Sequence, residues 1–451
     1  MSRIKDVRAR QLFDSRGSPT LEVEVETDDG CFRAIVPAGS SSGPYEAHEL
    51  RDGDLKLFNG NGVSKAIKNV NNELAVAVIG MDPTDQQGID QALIDCDGSD
   101  DGKKSRLGAN AILGVSMAVS RAGAAKKGIP LYKHINNLAG NPTVMLPVPC
   151  FNVLSGGSRA GNGLSVQEFI VMPTGAESFK HAMQIGVEIY HKLKDMIADK
   201  FGKAATNVDD EGGFAPDIDE NGEALELLKA AIKETGHQEL VQLGIDAAAS
   251  EFYDNQSGKY NLNFKQTEQQ TPPEKMKTAN DLLRLYKLYA ANYGVISIED
   301  PFDKDDYASY GRMTGELGEL IQIIGDDFLG TNMQRMESAV EQNTCNAVLL
   351  KLNQVGTVTE AIEANDFARN SGFGVMVSHR AGDTEDSFIA ALCAGLGTGQ
   401  LKSGAPCRSE RLAKYNELLR IEDDLGSNAV YAGDYWRDPW MLENSKSSAY
   451  M

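Results

Sequence analysis

The sequence is short of the features that mark membrane, secreted and nucleic-acid-binding proteins. It contains no run approaching the ~18 apolar residues that a membrane span needs, and its N-terminus lacks the apolar core of a signal peptide. Basic residues number 44 against 65 acidic ones, and the net charge of −21 disfavours binding to nucleic acid or to an anionic membrane. We therefore expect a soluble, intracellular protein that gathers cations rather than polyanions.

Closely spaced cysteines are also missing. The six cysteines are far apart in the sequence and form no CxxC pair, so neither a disulfide framework nor a thiolate metal site is expected. This pattern favours a reduced, cytoplasmic setting.

The length of 451 residues exceeds what one hydrophobic core usually supports, and two domains are expected. The pair Asn141-Pro142 and the nearby Pro147 and Pro149 mark the boundary, which gives a first domain of residues 1–140 and a second of 141–451. In the first domain, residues 4–37 alternate like an antiparallel meander and residues 62–128 have helical character. The prediction for this domain is an α+β fold.

In the second domain, polar residues end short apolar runs at a regular interval. The runs end at Glu299, Asp326, Lys351, His379 and Lys402, spaced 23 to 28 residues apart. A strand, a helix and two loops need about this length, so the period predicts βα units. A modified (β/α)8 barrel would bring these residues to its active face, whereas an open doubly wound sheet is the alternative.

The residue types at these strand ends suit one chemistry. Asp246 also follows an apolar run, and with Glu299 and Asp326 it would form an oxygen-ligand site for Mg²⁺ or Mn²⁺. Lys351 or Lys402 would act as a general base beside that site. The adjacent His379 and Arg380 would hold a phosphate. Removal of a proton next to a carboxylate needs such a combination of base and cation.

Several longer motifs resemble those of enolase (phosphopyruvate hydratase) and together cover essentially the whole chain. They begin at Asp14, Arg51, Leu107, Glu299, Leu349, Val377 and Lys402. The resemblance implies an α+β domain before a modified barrel, and a cytosolic homodimer. It also implies Mg²⁺-dependent conversion of 2-phosphoglycerate to phosphoenolpyruvate in glycolysis, and the reverse reaction in gluconeogenesis.

The resemblance also implies roles for individual residues. Asp246, Glu299 and Asp326 match the ligands of one Mg²⁺, and Ser41 matches a ligand of a second that arrives with the substrate. Lys351 matches the base, and Glu211, with Glu168 beside it, matches the acid that assists loss of the C3 hydroxyl. Lys402 matches a contact to the substrate carboxylate, and His379, Arg380 and position 381 match phosphate-side contacts.

The sequence departs from the family pattern at the site. Arg159 replaces a histidine that closes over the substrate, Asp209 replaces a glycine, and Ala381 replaces a serine. We hypothesise that Arg159 and Asp209 pair in the free protein and attenuate turnover, the alternative being that Arg159 donates to the phosphate. Two other functions stay open: a related enzyme acting on a non-phosphorylated acid, and a catalytically weak or silent paralogue with a binding or structural role.

Overall fold

The structure, a computed structural model, describes residues 2–39, 43–100, 102–140, 143–266 and 271–442. Ser41, the expected ligand of a second Mg²⁺, lies outside the described residues. So do Asn141 and Pro142, and the division of the chain at residue 140 stays a prediction. Within the described ranges, every helix is too short or too polar to cross a membrane.

A three-stranded antiparallel sheet opens the chain. Its strands are β1 (Asp6–Phe13), β2 (Pro19–Thr27) and β3 (Gly30–Ile35), and β2 lies in the middle. Period-two alternation buries Leu21 and Val23 completely on one face. On the other face Glu24 lies opposite Arg8 and Arg33 and forms ion pairs with both. The predicted meander is therefore confirmed.

Helices pack on the buried face of this sheet and on one another. They are α1 (Ser64–Asn69), α2 (Ala75–Val78), α3 (Gln86–Asp97), α4 (Ala109–Lys127) and α5 (Leu131–Leu138), with a π-helical turn, Val70–Leu74, between α1 and α2. Helix α4 packs directly on β2, because a Cβ atom at Gly114 would lie 2.5 Å from Val23. Small residues along α4 permit this close approach.

Eight strands close into a barrel after the first domain. They are β4 (Val148–Ser155), β5 (Glu168–Met172), β6 (Gln242–Asp246), β10 (Val295–Glu299), β11 (Gln322–Gly325), β12 (Ala347–Leu350), β13 (Gly374–Ser378) and β14 (Gly399–Lys402). The short strands β7 (Tyr253–Asp254), β8 (Lys259–Asn261) and β9 (Met276–Lys277) form a separate sheet. Closure of the barrel confirms the predicted fold and excludes the open sheet.

One barrel strand runs against the others. Strand β5 is antiparallel to both β4 and β6, whereas the remaining neighbours are parallel. The first residue of β5, Glu168, is therefore in register with the last residues of its neighbours, Ser155 and Asp246. This reversal brings Glu168 to the same end of the barrel as the strand-end acids.

An outer layer of helices surrounds the barrel. It consists of α6 (Phe179–Phe201), α7 (Asn221–Glu234), α8 (Ala279–Tyr293), α9 (Tyr307–Leu317), α10 (Met333–Glu341), α11 (Leu352–Val355), α12 (Val358–Asn370), α13 (Phe388–Leu396) and α14 (Ser409–Leu425). Helix α6 shows why these segments are helical and where they pack. Its apolar residues recur every three or four positions and are buried, and Ser178 caps its first turn by accepting the His181 N–H.

The first domain contacts the barrel at the loop that follows β13. Ala38 and Gly382 exchange two backbone hydrogen bonds of 2.7 and 3.0 Å. The Ser15 N–H donates to the carbonyl of Asp383, and Arg16 donates to the carbonyl of Gly39. Residues 38 and 39, which precede the expected Ser41 loop, are thus held beside His379 and Arg380.

Candidate active site

The carboxyl ends of the barrel strands surround one polar cavity. Asp246, Asp326, Lys351 and Lys402 line it, and each lies at the end of a strand or directly after one. The cavity is also lined by Glu46, Arg159, Gln167, Glu168, Glu211, Asp300, Asp327, His379, Arg380 and Ala381. Apart from Ser41, the predicted site residues converge here. Glu299 does not line the cavity itself, but its carboxylate contacts Lys402, which does.

Lys402 lies among the buried acids. Its Nζ is 2.7 and 2.8 Å from the carboxylate oxygens of Glu299, 3.2 Å from Asp246 Oδ2 and 3.3 Å from Glu168 Oε2. Burial by itself would lower the pKa of Lys402, but these acids raise it well above the usual value. The ammonium group therefore stays charged and neutralises part of the cluster.

The acids nevertheless carry more charge than Lys402 balances. Burial and the neighbouring Asp246 raise the pKa of Glu299 well above its ordinary value, although Lys402 opposes the shift. Asp246 Oδ2 also accepts a hydrogen bond of 3.1 Å from the amide of Gln167. A set of carboxylate oxygens with unbalanced negative charge suits a hard divalent cation. These carboxylate oxygens therefore fit the expected Mg²⁺ as ligands.

Asp326 and Lys351 form a second ion pair in the cavity. Lys351 Nζ lies 2.6 and 2.5 Å from the two oxygens of Asp326, and both side chains are 13% exposed. Burial would raise the pKa of Asp326, but Lys351 and Lys402 hold it below its usual value. Lys351, the predicted base, is thus positioned by one of the predicted metal ligands.

Asp300 positions the segment that carries Asp326. It adopts a φ of +43°, and its Oδ1 accepts hydrogen bonds from the Asp326 N–H and the Tyr310 hydroxyl. Its Oδ2 accepts the Asp327 N–H at 2.7 Å. Ligand oxygens of Asp300, Asp326 and Asp327 lie within 4.8 Å of one another, so this group could also hold a cation. It overlaps the predicted site at Asp326.

The loop between α6 and α7 carries Glu211, which lines the cavity. Asp209 Oδ1 accepts 2.9 Å hydrogen bonds from the N–H groups of Glu211 and Gly213, which closes a tight turn around Glu211. Gly213 must lack a side chain, because a Cβ atom there would lie 2.3 Å from Ser155 Oγ. Asp209 therefore shapes the turn that points Glu211 into the cavity.

Arg159 forms ion pairs with Glu168 and Glu211. Its Nη1 lies 3.1 Å from Glu168 Oε1 and forms a shorter ion pair with Glu211 Oε1. Despite burial, Arg159 and His379 hold the pKa of Glu211 well below its ordinary value. For Glu168, burial and the neighbouring acids Glu211 and Asp246 raise the pKa, with Lys402 and Arg159 opposing.

The hypothesis of an Arg159–Asp209 ion pair is wrong. In the described part of the chain, the ion pairs of Arg159 go to Glu168 and Glu211, while Asp209 accepts hydrogen bonds from backbone amides. The physical reason is that Glu168 and Glu211 are at most 2% exposed and need a counter-charge, whereas Asp209 already stabilises its own turn.

The phosphate-side residues lie after β13. Arg380 is buried, and its Nη1 and Nη2 both lie 3.4 Å from Glu46 Oε2 of the first domain. His379 Nε2 is 3.5 Å from Glu211 Oε2, and burial lowers the pKa of this imidazole to about 4. Ala381 lines the cavity with a methyl group in place of a hydroxyl.

Comparison with known proteins agrees with this geometry over both domains. Residues 4–135 match the family described as "Enolase, N-terminal domain", and residues 143–439 match "Enolase, C-terminal TIM barrel domain". The chain is 55% identical over 445 residues to "Enolase" from Solanum lycopersicum, an alignment covering 97% of this chain and 99% of the relative. The chain belongs to the enolase family. The predicted class of enzyme, phosphopyruvate hydratase, a lyase, is confirmed.

Several residues of this enolase site were not predicted from the sequence, among them Asp300, Glu46 and Arg411. Asp300 follows Glu299 directly, and a second acid before Pro301 is a signal that could have found it. Glu46 lies 334 residues from its partner Arg380, and Arg411, which contacts His379, lies 32 residues from it. For these two, the sequence offers charged residues but no indication of the partner.

Proposed function

We propose that this protein catalyses the Mg²⁺-dependent dehydration of 2-phosphoglycerate to phosphoenolpyruvate, and the reverse hydration. The observation that carries the proposal is that a proton acceptor and two possible proton donors line one cavity. Lys351 pairs with Asp326, and Glu168 and Glu211 are joined by their ion pairs with Arg159. Elimination of water needs both functions, one at each of two adjacent carbons.

Asp246, Glu299 and Asp326 would hold one Mg²⁺, and Ser41 would contribute a ligand to a second, as the resemblance to the family implies. The bound cation would stabilise the negative charge that develops on the substrate carboxylate. Lys402, fixed among Glu299, Asp246 and Glu168, would bind that carboxylate as well. These groups orient the carbon that loses its proton toward Lys351.

Lys351 would remove the C2 proton. Its Nζ is held by both oxygens of Asp326, and this contact would have to loosen before Lys351 could accept the C2 proton. A residue that can exist as a free amine is required here, and an arginine could not replace it, because a guanidinium stays protonated.

Glu168 and Glu211 would assist loss of the C3 hydroxyl in different ways. The pKa of Glu168 is raised, so it can hold a proton, whereas the pKa of Glu211 is lowered by Arg159 and His379. We infer that the proton for the leaving hydroxyl is held by Glu168. Glu211 can donate one only when Arg159 moves away.

The phosphate would bind on the His379–Arg380 side. Arg380 can exchange its 3.4 Å contacts with Glu46 for phosphate oxygens, since a guanidinium binds such an anion in bidentate fashion. Ala381 contributes no side-chain hydrogen bond here. A phosphate could also attract Arg159 away from Glu211, which would release that acid when substrate binds.

A second candidate function is a weak or silent enolase paralogue with a binding or structural role. The observation in its favour is the ion pair that ties Arg159 to Glu211, because it competes with the proposed acid function. A homodimeric assembly and a cytoplasmic location remain predictions from the resemblance to the family.

The first experiment is to follow phosphoenolpyruvate formation by absorbance, with Mg²⁺ and then with excess EDTA. We expect turnover that is lost with EDTA and restored by added Mg²⁺. Turnover that persists in EDTA would contradict the metal requirement. Binding of 2-phosphoglycerate without turnover, measured calorimetrically in Mg²⁺, would instead support the silent paralogue.

A further inference from the structure

Arg411 lies near the start of α14, and its side chain is completely buried beneath the candidate site. Its Nη1 is 2.6 Å from His379 Nδ1 and 2.7 Å from the carbonyl of Arg380. Its Nη2 is 2.8 Å from the carbonyl of Asp210 and 2.7 Å from that of Ala381. One guanidinium group thus joins the phosphate-side loop to the loop that carries Glu211.

The contact to His379 determines where the imidazole carries its proton. A guanidinium group has five N–H donors and no acceptor, so His379 Nδ1 must accept the hydrogen bond and carry no proton. The proton of the neutral ring is then on Nε2, 3.5 Å from Glu211 Oε2. The ring presents a donor to Glu211 for this reason.

Burial and charge keep this ring neutral. Burial, with a smaller contribution from Arg411, lowers the pKa of His379 to about 4, although Glu211 and Asp383 act in the opposite direction. Asp383 is itself neutralised by Lys414 at 2.6 Å. The groups that face His379 therefore leave the imidazole uncharged across the neutral range of pH.

We propose that Arg411 is a positioning residue that fixes His379 as the neutral Nε2–H tautomer and holds its donor toward Glu211. Its effect on turnover rests on the proposed dehydration, in which Glu211 takes part. The tautomer itself is a property of the free protein and can be measured without any turnover.

The absence of a side chain at Gly404 leaves room for the side chain of Arg411. Gly404 has a φ of +78°, and a Cβ atom there would lie 2.5 Å from the carbonyl of Glu211 and 3.0 Å from Arg411 Cδ. That carbonyl accepts the N–H of Ala405 at 2.9 Å. The aliphatic part of Arg411 therefore packs closely against Gly404. A lysine, with one ammonium group, could not reach the same four acceptors.

The decisive measurement is the tautomer of His379 in the full-length protein labelled with ¹⁵N-histidine. Two-bond ¹H–¹⁵N correlations separate Nε2–H, Nδ1–H and imidazolium rings, and His379→Gln assigns the signals among the six histidines. We expect the neutral Nε2–H pattern from pH 6 to 9. An Nδ1–H or imidazolium pattern in the wild-type protein would overturn the inference before any Arg411 variant is made.

Variants of Arg411 test its role in positioning. Arg411→Met removes the donor, so the Nδ1–H form should appear and kcat should fall by about tenfold to a hundredfold with a smaller change in KM. Arg411→Lys can still donate to Nδ1, so it should keep the Nε2–H pattern with a smaller loss of kcat. Arg420→Lys, on the exposed face of the same helix, is the matched control and should behave as wild type.

The outcomes separate this inference from the proposed function. A folded Arg411→Met protein that keeps the wild-type tautomer and rate would show that Arg411 does not position His379. If Arg411→Met does not fold, as judged by circular dichroism, the wild-type spectrum and the Arg411→Lys variant still test whether Arg411 positions His379. An inactive wild-type protein with the Nε2–H pattern would contradict the proposed dehydration and leave the tautomer assignment intact.

Discussion

The two sides of the cavity are held by different kinds of contact. On the strand side, Lys402 and Lys351 pair with carboxylates through side chains alone. On the loop side, Arg159 also pairs with carboxylates, but Asp209 and Arg411 bond mainly to backbone amides and carbonyls. Ion pairs between side chains can be exchanged for a cation or a substrate, whereas bonds to the backbone determine the shape of a loop.

Substitutions should therefore be tolerated better on the loop side than on the strand side. The predicted departures from the family pattern, Arg159, Asp209 and Ala381, all lie on the loop side, while the three strand-side acids and both lysines are predicted to match it. The strand side supplies charge at fixed positions, and loss of any member leaves a buried charge unbalanced. On the loop side, a change alters geometry and can be partly compensated.

The largest effect is expected on the strand side, at Lys351. Lys351→Ala should lower kcat by about 10²–10⁴-fold, because it removes the proposed base and leaves Asp326 without its nearest counter-charge. Lys351→Arg keeps the charge but cannot accept a proton at neutral pH, so it should be nearly as inactive. The measurement is the steady-state rate of phosphoenolpyruvate formation.

The control for Lys351 is Lys194→Ala, a change of the same type at an exposed position on α6. It should leave the rate unchanged. A Lys351→Arg protein with close to wild-type kcat would show that Lys351 acts through its charge alone, and the base would then have to be sought elsewhere.

The strand side was largely predictable from the sequence. A period of 23 to 28 residues predicts βα units, and parallel strands in a barrel end at one face, so Glu299, Asp326, Lys351 and Lys402 follow from position. Asp246 follows from the same pattern of an apolar run that ends in an acid. Even the reversed strand β5 keeps Glu168 at that face, because the residue stands at its start instead of its end. Strand geometry leaves a residue little freedom to lie elsewhere.

The loop side was not predictable in the same way. Arg159 and Asp209 have opposite charges in neighbouring loops, which suggested an ion pair, but the choice of partner depends on which acids are buried. Burial of Glu168 and Glu211 is a consequence of the closed barrel and has no local signature. The contacts of Glu46 and Arg411 likewise depend on how loops from distant parts of the chain pack together.

An intermediate effect, of opposite sign, is expected on the loop side at Arg159. Arg159→His should raise kcat/KM by about tenfold, because it releases Glu211 and Glu168 from the ion pairs that compete with proton transfer. Arg159→Gln is the matched control, since it removes the charge without supplying an imidazole. A gain in both variants would identify the ion pair as the cause of attenuation.

A fall in kcat/KM in both Arg159 variants, with KM rising more than kcat falls, would contradict attenuation. It would show instead that Arg159 donates to the substrate phosphate, the alternative left open by the sequence. Arg159 and Asp209 both contact Glu211, so the effects of Arg159→His and Asp209→Gly can couple through that residue without a direct ion pair between them.

The smallest effect is expected at Asp209, where the loop side is held by backbone contacts. Asp209→Gly removes the acceptor for the N–H groups of Glu211 and Gly213, so the free energy of unfolding should fall by about 1 kcal/mol and kcat by a few-fold. Asp209→Asn keeps an accepting oxygen and should lose less of both. Urea unfolding followed by circular dichroism measures the first quantity. If Asn and Gly were equally harmful, the charge of Asp209 near Glu211, and not its hydrogen bonds, would be what the turn requires.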